Sequence, residues 1–129
     1  MSTEENLQAA FAGESQANRK YTAFAKKAEI DGYPNIARLF RAAGAAETVH
    51  AHSHLRVMGG IGSTEKNLQE AIAGEGEEFR EMYPEFVEEA KADGNKQAET
   101  GFRYAMAVEE IHHEMYSQAA EALKAGNDL

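Results

Sequence analysis

Two Glu-x-x-His segments, Glu47-Thr48-Val49-His50 and Glu109-Glu110-Ile111-His112, are the parts of this 129-residue chain best suited to chemistry. Helix positions three apart project from one face, so each pair can present a carboxylate and an imidazole to the same point. One such pair carries little information, because with 19 Glu and five His chance yields about one Glu-x-x-His. Glu110-x-x-His113 is read as an accident of this kind. The other two stand at equivalent places in an internal repeat. Ala12-Gly13-Glu14 matches Ala73-Gly74-Glu75 at an offset of 61. After one extra residue, Ala28-x-x-Asp31-Gly32 matches Ala90-x-x-Asp93-Gly94, Phe40-Arg41 matches Phe102-Arg103, and Glu47-x-x-His50 matches Glu109-x-x-His112, all at 62. The matched set includes polar residues placed mid-helix, where core packing alone does not call for them.

Glu14 and Glu75 complete the symmetry. Glu14 lies about as far before the turn near Gly32 as Glu47 lies after it, and Glu75 and Glu109 relate likewise to the turn near Gly94. At about 1.5 Å per residue, all four fall at similar height in a helical bundle. Four carboxylates facing one interior would repel and be forced to protonate unless cations compensate them. One Glu from each of two helices and a Glu-x-x-His from each of the other two is the ligand set of carboxylate-bridged di-iron or di-manganese bundles. Oxygen and imidazole donors without thiolates suit Fe or Mn better than a structural zinc site. Glu78, three residues after Glu75, is either a fifth carboxylate on the same face or surface decoration beside Glu77 and Glu81. Tyr21 follows Glu14 by seven residues and Tyr83 lies near Glu78, spacing that fits core packing as well as contact with the site. His54 is read as a partly exposed helix residue rather than an outer-sphere group, and His52 and His113 point elsewhere on the helical wheel.

The elements that must position these residues are helices. Glu outnumbers Asp 19 to 3 and Ala is the commonest residue at 24, whereas Val, Ile and Thr together number 14. Ser2, with Glu5 three residues on, offers an N-cap to a first helix at about 3–30, ended by Asp31-Gly32. Pro34 suits the first turn of a second helix at about 34–58, stopped by Gly59-Gly60-Ile61-Gly62. Ser63 or Thr64 can cap a third at about 65–92, and a fourth follows Asp93-Gly94 at about 96–125. Pro84 predicts a kink in the third helix, where its ring meets the carbonyl of Arg80. The expected fold is an all-α, single-domain four-helix bundle over residues 1–129.

The composition excludes several function classes. A net charge of −9 with no Lys/Arg run argues against nucleic acid and anionic membranes as partners. No cysteine is present, which removes disulfides, thiolate nucleophiles and Cys-ligated zinc or iron within these residues. The N-terminus has no apolar run and no stretch approaches a membrane span, so a cytoplasmic location is expected.

With these motifs in place, the sequence resembles the rubrerythrins of the ferritin-like superfamily over essentially the whole chain. The resemblance is carried by Ala12-Gly13-Glu14-Ser15-Gln16-Ala17-Asn18 with Tyr21 and by Glu47-x-x-His50. It continues in Ile72-Ala73-Gly74-Glu75-x-x-Glu78, Met82-Tyr83-Pro84-Glu85-Phe86 and Ala107-Val108-Glu109-Glu110-x-His112. The Glu-x-x-Glu of the third helix is the discriminating element. The resemblance implies two iron ions, with Mn or Zn substitution possible, bridged by Glu47 and Glu109. Glu14 would ligate the first metal, and Glu75 and His112 the second. His50 and Glu78 would exchange on the first metal with redox state, and Tyr21 and Tyr83 would hydrogen-bond to ligand carboxylates. The implied activity is reduction of hydrogen peroxide to water.

Two departures from the common family form follow. Rubrerythrins usually carry a second, four-Cys iron domain. None lies in this chain, so electrons are expected from a separate donor such as a rubredoxin-like protein. In the ferritin-like arrangement the second and third helices run parallel, and their connection must climb nearly 40 Å, whereas Gly59–Thr64 reaches only about 20 Å fully extended. A domain-swapped homodimer, with the first two helices of one chain completing the site of another, is favoured over an up-down-up-down bundle. An iron-oxidising, sequestering protein and a metal-stabilised structural module are the competing readings.

Overall fold

The computed structural model describes residues 2–129 and divides the chain into two compact units, Met1–Ile61 and Gly62–Leu129, each a helical hairpin. The first unit pairs α1 (Thr3–Ile30) with α2 (Pro34–Val57). Ser2 caps α1, its Oγ accepting from the Glu5 backbone N–H at 3.1 Å while its hydroxyl donates to Glu5 Oε1. The reciprocity of a capping box is thus met through the two side chains. The hairpin turn closes with Gly32 at φ +87°, a left-handed conformation that a Cβ disfavours, while Tyr33 N–H reaches back to the Ala28 carbonyl.

The second unit repeats this construction. α3 (Thr64–Glu77) is capped by Ser63, whose Oγ accepts from Lys66 N–H. A π-helical turn (Glu78–Met82) and α4 (Tyr83–Ala92) complete this arm, and α5 (Lys96–Lys124) returns antiparallel to it. Gly94, at φ +71°, and the Asn95 N–H to Ala90 carbonyl bond reproduce the first turn at the repeat offset.

The sequence reading expects a kink at Pro84, whereas the structure shows a widened turn just before it. Tyr83 N–H bonds to the Glu78 carbonyl, five residues back, so the backbone accommodates one additional residue without breaking the helix. This turn lies between Glu75 and Ala90, where the repeat offset changes from 61 to 62. The extra residue of the repeat is therefore absorbed as a π turn. Its consequence is visible in the packing: Tyr83, Phe86 and Phe102 form an aromatic trio with centroids 5.4–6.1 Å apart, matching Tyr21, Phe24 and Phe40 in the first unit. Downstream of the turn, the two hairpins are in register again.

Small residues bring the helices together. Ala25, Ala28 and Ala37 form the buried contact of the first hairpin with Phe40 against it, and Val87 and Ala90 are buried in the second. In the first unit Asn18 Nδ2 donates to the Gly44 carbonyl at 2.8 Å and lies 2.7 Å from Thr48 Oγ1, strapping α1 to α2 one turn from Glu14 and Glu47. In the second, His113 packs edge-on to Phe79, 5.3 Å between centroids. Each hairpin leaves large apolar side chains uncovered. Leu39 is 69% exposed and Val49 similarly so on α2, and Tyr104, Val108, Ile111 and Met115 make an open stripe along one face of α5. No helix among the described residues is long and apolar enough to cross a membrane.

Candidate metal centre

Each hairpin assembles one carboxylate–carboxylate–imidazole triad. In the first unit α1 supplies Glu14 while α2 supplies Glu47 and His50, and one ligand atom from each lies within 4.8 Å of the others. In the second unit Glu75 of α3 meets Glu109 and His112 of α5 within the same limit. The two triads are alike in detail: His50 Nδ1 is 3.1 Å from Glu14 Oε1, and His112 Nδ1 is 3.4 Å from Glu75 Oε1. These contacts follow from the local rules already described. The Glu-x-x-His spacing sets both groups on one helical face, and the short hairpin turns bring the opposing glutamate to the same height.

The electrostatics point to a cation at each triad. The Glu14 and Glu75 side chains are 26% and 17% exposed, and the Oε2 atom of each is buried without an aligned hydrogen bond. Glu14 Oε2 does lie 2.6 Å from His54 Nε2, a distance in ion-pair range. The geometry of that approach nevertheless leaves the oxygen without an aligned donor. Leaving such an acceptor unsatisfied costs about 1–3 kcal/mol, more when it is charged, and an unpaired buried oxygen at the same place in two repeats is therefore a costly feature held in common. A divalent ion held by either carboxylate would offset the negative charge that those oxygens share. The donor set is oxygen and imidazole nitrogen, the combination suited to Fe or Mn.

Six of the seven residues read from the sequence as ligands stand in these clusters. Glu78 does not: it opens the π turn, outside the second triad. Burial raises its carboxyl pKa above the ordinary range, and the negative charges of Glu75 and Glu77 add to the effect. Tyr21 and Tyr83 are placed by their aromatic trios, at matching positions in the two hairpins. His54 is the residue that the sequence reading set aside and the structure brings in. Its position one turn beyond His50 was visible on the helical wheel, but its contact with Glu14 depends on how closely α1 approaches α2.

Comparison with known proteins agrees with this geometry. The sequence profile of the Rubrerythrin family matches residues 5–120. The chain is 37% identical to rubrerythrin-2 of Clostridium acetobutylicum, an alignment covering 98% of this chain and 77% of the relative. It is 38% identical to nigerythrin of Nitratidesulfovibrio vulgaris, covering 98% and 70%, and 39% identical to a rubrerythrin of Porphyromonas gingivalis, covering 88% and 64%. Among solved structures, fully reduced, all-ferrous nigerythrin is similar with a TM-score of 0.50 at 38% identity, over 97% of this chain and 69% of that one. With nearly its whole length matched and its two triads formed by the matched motifs, the chain belongs to the rubrerythrin family, diiron proteins that are generally oxidoreductases.

Proposed function

We propose that this chain is a non-haem diiron peroxidase that reduces hydrogen peroxide to water with electrons from a separate donor protein. The observation that carries the reading is the pair of matched Glu–Glu–His triads, each with a buried carboxylate oxygen lacking a hydrogen bond. In this reading Glu14, Glu47, His50, Glu75, Glu78, Glu109 and His112 would hold two iron ions, Glu47 and Glu109 serving both of them. When bound, two Fe(II) ions would supply one electron each, the two electrons that with two protons reduce one hydrogen peroxide to two waters.

The protein's own residues do the rest. Carboxylates shared between the two ions would keep them close enough for one small oxidant to reach both. A neutral imidazole at His50 would suit a less charged, reduced pair and an anionic Glu78 a more charged, oxidised one, so an exchange between the two would keep net charge nearly constant. Tyr21 and Tyr83 would hydrogen-bond to ligand carboxylates. With no cysteine among the 129 residues, a thiolate-ligated iron that returns the electrons must lie outside them.

A site with both triads requires two hairpins to face each other, and the reading here is a domain-swapped homodimer. Three observations support it. The connection between α2 and α3 is only the six residues Met58–Ser63. The alignments with the first two relatives above run over 141 columns, more than this chain possesses, so those relatives carry additional residues inside the matched region. Each hairpin also leaves large apolar side chains exposed, Leu39 and Val49 in the first and Val108, Ile111 and Met115 in the second, and covering a Leu, Val or Ile side chain contributes about 1.5–3 kcal/mol apiece.

The test is anaerobic: the ferrous-loaded protein is mixed with peroxide in a stopped-flow cell. Rapid oxidation of two Fe(II) per peroxide without oxygen release supports the peroxidase. No oxidation would leave a metal-stabilised module, and oxidation by dioxygen followed by uptake of many more irons would favour a sequestering protein.

A further inference from the structure

The two triads differ in one respect that the repeat makes plain. At the repeat offset of 62, Glu47 corresponds to Glu109, His50 to His112, and His54 to Tyr116. His54 is 30% exposed and its Nε2 lies 2.6 Å from Glu14 Oε2, while the other oxygen of Glu14 faces His50. In the second unit no imidazole occupies that place. Tyr116 instead sets its ring edgewise against His112, 6.5 Å between centroids, and Glu75 Oε2 has no partner. The first triad therefore has a nitrogen group at the far oxygen of its α1 carboxylate, and the second has none.

We propose that His54 is a positioning residue for Glu14, holding its Oε2 through Nε2–H so that Oε1 alone is presented to the metal beside Glu47 and His50. A neutral imidazole protonated on Nε2 can donate to a carboxylate after a small rotation of the ring, and a donor to the outer oxygen of a ligating carboxylate fixes its direction and tempers its charge. The asymmetry makes the two metal positions unequal: the first has a pre-oriented terminal glutamate, while Glu75 takes its direction from the metal itself. This inference rests on the two-metal reading above.

The test is anaerobic Co(II) titration of the full chain, following the visible absorption bands, with helix content checked by circular dichroism. Wild type is expected to take two Co(II) per chain. His54→Leu is expected to weaken one of the two binding steps by about 10- to 100-fold and leave the other unchanged. His54→Gln, whose amide can donate from a similar position, is expected to recover most of that loss, and Tyr116→Phe to leave the affected step alone. Equal weakening of both steps, no weakening, or failure of the Gln variant to recover binding would each overturn the proposal. So would ¹⁵N hyperfine coupling showing two directly bound imidazoles at the first position. If wild type takes up fewer than two Co(II), the two-metal reading itself fails; if it takes two and His54→Leu changes neither, only the role of His54 fails.

Discussion

Replacing Glu75 by Gln should reverse its effect on stability according to whether metal is present. The Glu75 side chain is 17% exposed and its Oε2 is buried without a partner. Removing the charge while keeping the shape relieves part of a penalty of about 1–3 kcal/mol, so the metal-free variant should be more stable than wild type by about 1 kcal/mol. With metal the sign changes. Loss of an anionic ligand weakens binding by at least about 100-fold, which removes about 2.7 kcal/mol of ligand-derived stabilisation at saturating metal. The variant should then be the less stable protein by about 1.5–2 kcal/mol. Urea unfolding followed by circular dichroism, at one fixed protomer concentration, in chelator and again in excess Mn(II), measures both differences. The same rank order of the two proteins in both conditions would refute the claim that Glu75 is held ready for a cation.

Other consequences can be checked with similar means. Gly32→Ala should destabilise the chain by about 1–2 kcal/mol in thermal unfolding, because position 32 sits at φ +87° with open space around it, so backbone strain is the whole effect. Ser63→Ala should cost about 1 kcal/mol by removing the α3 cap, and Ser63→Asp should restore most of it. Co-refolding a Glu47→Ala chain with a Glu109→Ala chain should regenerate intact sites in about a quarter of positions if hairpins are exchanged, since one of the two sites in each mixed dimer then draws both triads from unmutated hairpins. Metal content per chain of the mixture reads this directly, and a mixture no better than its components would exclude the swap.

Much of the structure follows from local chemistry that a sequence displays. Ser2, Ser63 and Asn95 begin helices with side-chain oxygens that accept from N–H groups three residues on, and Gly32 and Gly94 end them with left-handed turns. The approach of Glu14 to His50 and of Glu75 to His112 follows from equal distances to those turns combined with helical periodicity. What periodicity does not disclose is where the backbone departs from it. Pro84 signalled a disturbance, but the additional residue in the repeat was the better clue, and it is absorbed at Glu78–Met82 rather than at the proline. That departure also sets Glu78 apart from the second triad. The contact of His54 with Glu14 is not legible on a helical wheel for a related reason. A wheel assigns direction, whereas contact with Glu14 depends on the interhelical distance, here set by Ala25, Ala28, Ala37 and Gly44 at the interface. The stripe of Tyr104, Val108, Ile111 and Met115 is apolar in sequence and exposed in the hairpin.

The central claim is that two triads, one from each hairpin, jointly hold a pair of redox metals. An iron-edge anomalous difference map from crystals of the iron-loaded protein tests it most directly. The account predicts two adjacent peaks in each four-helix assembly, surrounded by Glu14, Glu47 and His50 from one hairpin and Glu75, Glu109 and His112 from another. A single peak, two peaks held separately by isolated hairpins, or iron bound away from these six side chains would contradict it.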